Sequence, residues 1–411
     1  MLKAANEKLA KLYPGDAIGR QPVHTFIAGG DTFTRDSALR AGADAIRTFK
    51  AFAPTAKALA EILRLPGEAG FAAAVSARVL KKLEREPIED FRIDFEDGYG
   101  TRPDAEEDGH AKAAALEVAA AMTSGTLPPF IGIRIKPMSR ELHARSLRTL
   151  DLFITTLVKA AKRLPDNFAV TLTKVMIPAH VTAVAERCAA LERKLKLKRN
   201  AIRFELMIET PQSIFAADGR VALLPLVAAG GGRVRGAHFG VYDYTALCGI
   251  TAAWQHPRHL ACDIAREIMR VSLAQTGVMI ADGSSNLLPI PPHVPAAWKR
   301  HFDDVTHSLV NGYYQGWDLH PGHLPTRYAA VYTFYLSALP AATTRLKNFF
   351  TKAEKAGAAF DDAATGQALV NFLNRAVSSG AITIEEATQT GLTAAELNGQ
   401  SFRDILAARQ M

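Results

Sequence analysis

Three cysteines in 411 residues, Cys188, Cys248 and Cys262, are too few and too scattered for a disulfide framework or a thiolate zinc site. Their scarcity fits a reducing compartment, and a cytoplasmic location is the expectation. Long apolar runs are also missing. Met1 to Gly15 alternates Lys and Glu with small apolar residues, which excludes a signal-peptide core, and no stretch reaches membrane-spanning length. Aromatic residues are sparse at 8%, and the densest basic run, Arg193–Arg199, contains none. Without rings on which bases could stack, that run reads as a solvated turn despite the net charge of +8. A phosphate-cradling glycine motif is absent as well, since Gly230-Gly231-Gly232-Arg233 reads as a loop. The expected partners are therefore small anionic molecules rather than nucleic acid or membrane.

What the sequence has in quantity is core material, with 48% hydrophobic and 22% charged residues. Short β-rich runs recur at His24–Ala28, Phe91–Phe95, Ile131–Ile135, Ala169–Ile177, Ile202–Ile208, Gly236–Val241, Val278–Ala281 and Gly316–Leu319. Helical patterns lie between them, notably Glu106–Met122, Arg140–Arg163, Val181–Leu195, Pro211–Val227, Arg258–Gln275 and Ala296–Asn311. Such alternation predicts a parallel sheet, and eight repeats predict closure into a (β/α)8 barrel. Asp31–Asp90 reads as a long helical insertion after the first strand, punctuated by Pro54 and Pro66. The barrel is expected over residues 1–335, with a helical extension or lid over 336–411 that ends in a helix at Ser401–Ala408.

Charged residues interrupt or end five of these strands, where an unpaired charge is costly and calls for a partner. In Ile93-Asp94-Phe95-Glu96-Asp97-Gly98 the two-residue period puts Asp94 and Glu96 on one face. Arg134 shares a face with Gly132 and Lys136, opposite Ile133 and Ile135. In the fifth strand Glu205, Met207 and Glu209 alternate against Phe204, Leu206 and Ile208, and Glu209 stands just before Pro211 opens a helix. The sixth ends Tyr242-Asp243-Tyr244. Most of these charges fall at the C-terminal ends of strands, the rim on which barrels build active sites. Carboxylates on adjacent strands make a hard-oxygen site suited to Mg²⁺ or Mn²⁺. Taken alone, Glu209 or Asp243 could equally be a helix cap or an ion-pair partner. Lys174 and Glu205 are expected in an interior ion-pair layer, and Lys136, beside Pro137, at the rim.

The ordered set Asp94-Phe95-Glu96-Asp97-Gly98, Arg134, Lys174-Val175, Met207-Ile208-Glu209-Thr210-Pro211, Gly240 with Asp243, Asp282-Gly283 and His320-Pro321-Gly322 resembles the HpcH/HpaI aldolase and citrate lyase superfamily, in its citrate lyase β-subunit-like branch. The resemblance spans about residues 24–330. It implies that Glu209 and Asp243 bind Mg²⁺ directly and that Arg134 binds a substrate carboxylate or carbonyl oxygen. Glu96 and Asp97 would lie near the metal through its waters, and backbone amides around Tyr242 and Asp243 would receive a carboxylate. The chain departs from the aldolase branch where Gly98 and Tyr99 replace a histidine after the acidic turn, and where Lys136 stands in place of a common asparagine.

The chemistry implied is a Mg²⁺-dependent retro-aldol or retro-Claisen cleavage of a 2-oxo acid, a 3-hydroxy acid or its CoA thioester. Arg134, Glu96 and Asp97 are the catalytic candidates, with the two acids moving a proton through a metal-bound water. His320 reads first as an imidazole hydrogen-bonded at the end of the last strand and second as an alternative base. Helical extensions of similar malyl-CoA-type lyases imply a homo-oligomer, a trimer or hexamer, with the lid over its own or a neighbouring barrel. Three rivals stand beside this. A CoA-thioester hydrolase would release CoA without carbon–carbon cleavage, a phosphoenolpyruvate- or pyruvate-handling phosphotransferase would need nucleotide, and a non-catalytic 2-oxo acid-binding barrel would bind without turnover.

Overall fold

Alternation of side chains decides the architecture. In the second strand Phe91, Ile93 and the following Phe95 turn outward onto helices, while Asp90, Arg92 and Asp94 turn into the centre of a closed sheet. The computed structural model describes residues 2–17, 19–68, 70–356, 363–397 and 401–409. Its strands are β1 (His24–Gly29), β2 (Asp90–Asp94), β3 (Phe130–Ile135), β4 (Phe168–Leu172), β5 (Arg203–Ile208), β6 (Val234–Phe239), β7 (Met279–Ala281) and β8 (Gly316–Asp318). All neighbours pair in parallel in the order β7-β6-β5-β4-β3-β2-β1-β8. The ring closes just beyond β7, where Asp282 N–H donates to Gln315 O at 2.8 Å and Ser284 bridges to Trp317. This is the expected (β/α)8 barrel.

Between β1 and β2 the expected insertion forms three helices, Ser37–Phe52, Ala56–Leu63 and Phe71–Arg85. Two details differ from the sequence expectation. The run 169–177 is strand only to Leu172, because Lys174 adopts a left-handed backbone (φ +48°) that ends the extended conformation. The run 211–227 is two short helices, Pro211–Ile214 and Leu223–Ala229, because Gly219 (φ +78°) turns the chain between Phe215 and Val221.

One helix of 33 residues, Leu324–Ala356, runs straight through position 335, so the expected boundary falls inside it. Helices Ala363–Ser379, Ile384–Thr388, Ala394–Leu397 and Phe402–Arg409 follow. They pack on the flank of their own barrel: Arg78 of helix Phe71–Arg85 donates to Ala381 O at 3.0 Å and pairs with Glu386. Among the described residues no helix is long and apolar enough to cross a membrane. The basic run 193–199 leaves its Arg and Lys side chains exposed. Gly231 and Gly232, both at positive φ, form the turn into β6, and Arg233 is held by Glu192.

Candidate active site

The acidic turn after β2 is built around Asp94. Its Oδ1 accepts the Glu96 N–H at 3.0 Å and its Oδ2 accepts the Gly98 N–H at 2.8 Å. A Cβ at position 98 would lie 2.6 Å from that Oδ2, which explains the glycine. Asp94 is the register neighbour of Arg134 on β3 and accepts from its Nε and Nη2, both at 2.7 Å. The bidentate pair fixes the guanidinium plane and leaves Nη1 3.4 Å from Glu96 Oε2. Burial would ease Arg134 toward losing its proton, but Asp94, Glu96 and Glu209 hold it charged.

Glu209 follows β5 and is set by a capped turn. Thr210 accepts from Ser213 N–H and donates to Val175 O at 3.0 Å, with Pro211 in the first helical turn. Its carboxylate lies across the end of β6, where a Cβ on Gly240 would meet Glu209 Cβ at 2.4 Å and Oε2 at 2.6 Å. Only glycine leaves that space. Asp243 and Tyr242 lie in the first turn of helix Val241–Leu247, and the Tyr242 hydroxyl donates to Ser284 O at 3.0 Å.

Lys174 binds these acids together. Its N–H donates to Glu209 Oε1 at 2.6 Å; its Nζ binds Glu96 and lies 3.0 Å from Asp97 and 3.4 Å from Asp243. This corrects the expectation of an interior Lys174, whereas Glu205 does sit in the interior, paired with Arg92 and Arg235. Lys136 is also elsewhere than expected: it is buried behind the strands, its Nζ 2.7 Å from Glu107 and 2.6 Å from Phe95 O. Its side chain turns to helix Asp104–Ser124 because that helix offers the buried carboxylate.

Five carboxylates (Asp94, Glu96, Asp97, Glu209, Asp243) thus share two contacting cations, Arg134 and Lys174. The imbalance is felt most by buried Glu209, which is pushed up to about 8 by burial and by Asp243 and Glu96, against the pull of Lys174. Glu96 is raised, by burial first and Asp97 next, in spite of Arg134 and Lys174. Burial would raise Asp97 also, but hydrogen bonding to Glu96 and the Lys174 ammonium hold it low. Such hard-oxygen donors could hold a divalent cation, with Glu209 and Asp243 on neighbouring strand ends.

Asp94, Asp97, Arg134, Glu209, Tyr242 and Asp243 all line one cavity of about 780 Å³ at the C-terminal mouth. Trp317 and Phe239 contribute to its wall, as do Arg40 and Asp44 from helix Ser37–Phe52, one charge of each sign. These wall residues went unnoticed in the sequence; Trp317, inward on β8 and hydrogen-bonded to His238 at 2.8 Å, was discoverable from strand alternation. No described residue beyond Pro321 lines the cavity. His320 accepts the Gly322 N–H at 3.0 Å and caps a short turn.

Among the described residues, the His/Cys/Asp/Glu trio whose ligand atoms approach one another most like a metal site lies elsewhere, at His301, Asp318 and His323. There Asp318 is engaged by Arg327 at 2.8 Å and by His301 at 3.0 Å. The two imidazoles stack at 4.4 Å with planes 21° apart, so their in-plane lone pairs run side by side rather than converge. That trio is a buried structural network.

Among curated proteins none matches the chain in sequence. Among solved structures, the malate synthase of Haloferax volcanii, native at 3 mM glyoxylate, is similar at a TM-score of 0.50 and 13% identity, over 93% of this chain and 98% of that one. The protein CitE from Mycobacterium tuberculosis, in complex with magnesium and acetate, has a TM-score of 0.41 and 15% identity, over 75% of this chain and 89% of its own. An HpcH/HpaI aldolase/citrate lyase family protein from Burkholderia cenocepacia J2315 has a TM-score of 0.41 and 13% identity, over 83% and 99%. At such identity the likeness to the Haloferax enzyme is one of fold. A family model matches residues 2–405, nearly the whole chain, and the protein belongs to that family, described as Domain of unknown function (DUF6986).

Proposed function

We propose that this protein is a divalent-metal-dependent carbon–carbon lyase, cleaving a 2-oxo acid, a 3-hydroxy acid or its CoA thioester by a retro-aldol or retro-Claisen reaction. The observation that carries this reading is one cavity at the barrel mouth lined by Glu209 and Asp243 and by Arg134. The surplus of carboxylates over contacting cations, and a buried Glu209 pushed up to about 8, fit a donor set that takes up a further cation. Glu209 and Asp243 would hold Mg²⁺, or Mn²⁺. The ion, when bound, supplies Lewis acidity to a substrate oxygen.

The remaining work falls to the chain itself. Arg134, held flat by Asp94, offers a fixed donor to the substrate carboxylate or carbonyl oxygen, strongest where water is partly excluded. The backbone N–H groups around Tyr242 and Asp243, in the first turn of their helix, would receive the substrate carboxylate. Glu96 and Asp97 are adjacent acids pushed in opposite directions, the pattern by which one site keeps both a proton donor and an acceptor.

The test is mass spectrometry of products from a panel of 2-oxo, 3-hydroxy and CoA-ester acids, with glyoxylate as a possible product or co-substrate, with Mg²⁺ and with chelator. Metal-dependent cleavage or formation of a carbon–carbon bond is expected. Free CoA release with an intact carbon skeleton, or turnover that requires a nucleotide, would sink the proposal.

A further inference from the structure

One residue touches four of the five acids at the mouth: Lys174 meets Glu209 through its N–H and Glu96, Asp97 and Asp243 through its ammonium. It does so from a left-handed backbone (φ +48°), a conformation that a lysine adopts only at a cost and that turns its N–H onto Glu209. We propose that Lys174 is the resident counter-cation of this site, its ammonium occupying the carboxylate cluster until a divalent ion binds and then moving out. The proposal rests on Glu209 and Asp243 being the metal ligands.

The two cations of the mouth are built differently. Arg134 is locked by two parallel hydrogen bonds to Asp94, which is itself tied to the backbone of its turn. It has no freedom to leave. Lys174 is a point charge on a flexible four-carbon stem, with a quarter of its side chain exposed (24%) and so a route to solvent. Its Nζ lies near Asp243, so a divalent ion held by Asp243 would meet the ammonium as a like charge at close range. One of them must yield, and the lysine is the mobile one. The N–H to Glu209 does not depend on the side chain, so Glu209 stays aimed while the ammonium departs. Departure also frees Glu96 and Asp97 from their shared partner, so that these acids become available once the metal is in place.

The test uses Mn²⁺ as probe, followed by the loss of its free electron paramagnetic resonance signal, on the full chain. Lys174→Asn removes the ammonium while keeping a residue that tolerates the left-handed backbone. We expect it to bind Mn²⁺ at least tenfold more tightly than wild type, with Mg²⁺ competing. Unchanged or weaker binding overturns the proposal. Glu209→Gln, measured alongside, separates the two claims: if it binds Mn²⁺ like wild type, the ligand assignment itself fails. If wild type binds, Glu209→Gln does not, and Lys174→Asn binds no tighter, only the role of Lys174 fails. Amine acylation of wild type read by peptide mass spectrometry keeps the question open to test even if the variant does not fold. Saturating Mn²⁺ is expected to raise Lys174 labelling several-fold, and unchanged or reduced labelling overturns the proposal.

Discussion

Two layers of charge sit in the same barrel, one around Glu205 on β5 and one around Glu209 just beyond its end, and their glutamates behave oppositely. The lower layer joins Asp90 and Glu205 to Arg92 and Arg235, with Arg92 2.7 Å from Asp90 and 3.0 Å from Glu205. Two acids face two guanidinium groups, and Thr25 and Thr171 supply further hydrogen bonds. Gly132 makes the layer possible, since a Cβ there would lie 1.9 Å from Arg92 Nη1. The upper layer, at the mouth, sets five acids against Arg134 and Lys174. Glu205, on β5, and Glu209, just beyond its end, are equally buried. Yet burial is overcome at Glu205 by Arg92 and Arg235, which hold it well below the usual carboxylate range, and wins at Glu209, which rises to about 8. A balanced buried layer is explained by stability and specificity. An unbalanced one has carboxylates to spare for a further cation, and that is what distinguishes the mouth from the layer below it.

The sharpest way to break this contrast is to remove a charge from each layer in turn. Glu209→Gln is expected to lower kcat/KM for the metal-dependent reaction by about a thousand-fold or more, with little change in thermal stability, because it removes a carboxylate that burial already disfavours. Asp243→Asn should do the same. Activity surviving in both variants would remove them from the metal site. In the lower layer Arg92→Met is expected to cost about 3 kcal/mol of stability, since it strands Asp90 and Glu205 without their shared partner. Denaturant unfolding checks this, and Mn²⁺ affinity should stay as in wild type. A variant equally stable, or one with altered metal affinity, would erase the distinction between the layers.

The barrel was legible because its evidence is repeated. Every strand carries its own alternation and every turn its own punctuation, so errors at Lys174 or Gly219 shift a boundary without changing the fold. The mouth was legible in part. Asp94, Glu96, Arg134 and Glu209 stand out as charges in apolar strands, and period two alone puts Asp94 and Glu205 inward. Lys174 was misplaced because the same period was extended through a residue whose φ is positive, and nothing in Thr173-Lys174-Val175 announces that reversal. Lys136 was misplaced because its partner, Glu107, comes from a helix packed against the outside of the strands, and strand alternation carries no information about helix packing. Arg40 and Asp44 reach the cavity only through the way the inserted helix packs on the Pro321–His323 turn after β8, which is tertiary placement rather than local pattern.

A finer probe of the upper layer keeps the charge and changes its shape. Arg134→Lys is expected to lower kcat by about a hundred-fold, because an ammonium cannot reproduce two parallel bonds to Asp94 while also presenting a donor to substrate. Stability should fall only modestly, as Asp94 keeps a positive partner. Steady-state kinetics of both parameters decide the matter: a rise in KM alone, with kcat intact, would make Arg134 a binding group that does not act in the reaction.

The smallest effect concerns a histidine that belongs to the lower layer. His238 faces Glu205, Arg92 and Arg235 and accepts from Trp317, and it is lowered to about 4 by burial, with the two arginines adding to burial and Glu205 opposing. Since its folded value lies below the ordinary 6.5, the unfolded chain binds a proton that the folded one refuses between those limits. Its contribution to stability is therefore fully present above about pH 6.5 and is lost as pH falls toward 4. His24, beside Asp318, Glu89, Arg327 and Lys82, and His323, beside His301, Asp318 and Arg327, are lowered to about 4 and about 3 and act in the same sense. Each contributes a slope of about 1.4 kcal/mol per pH unit in this window. His238→Gln keeps a hydrogen-bond acceptor for Trp317 and removes one titrating group, so unfolding at pH 6 and pH 5 should differ by about 1.4 kcal/mol less than in wild type. An unchanged slope would mean that the interior of the barrel admits a proton at His238, and the arginines around Glu205 would then not keep the lower layer closed to protons.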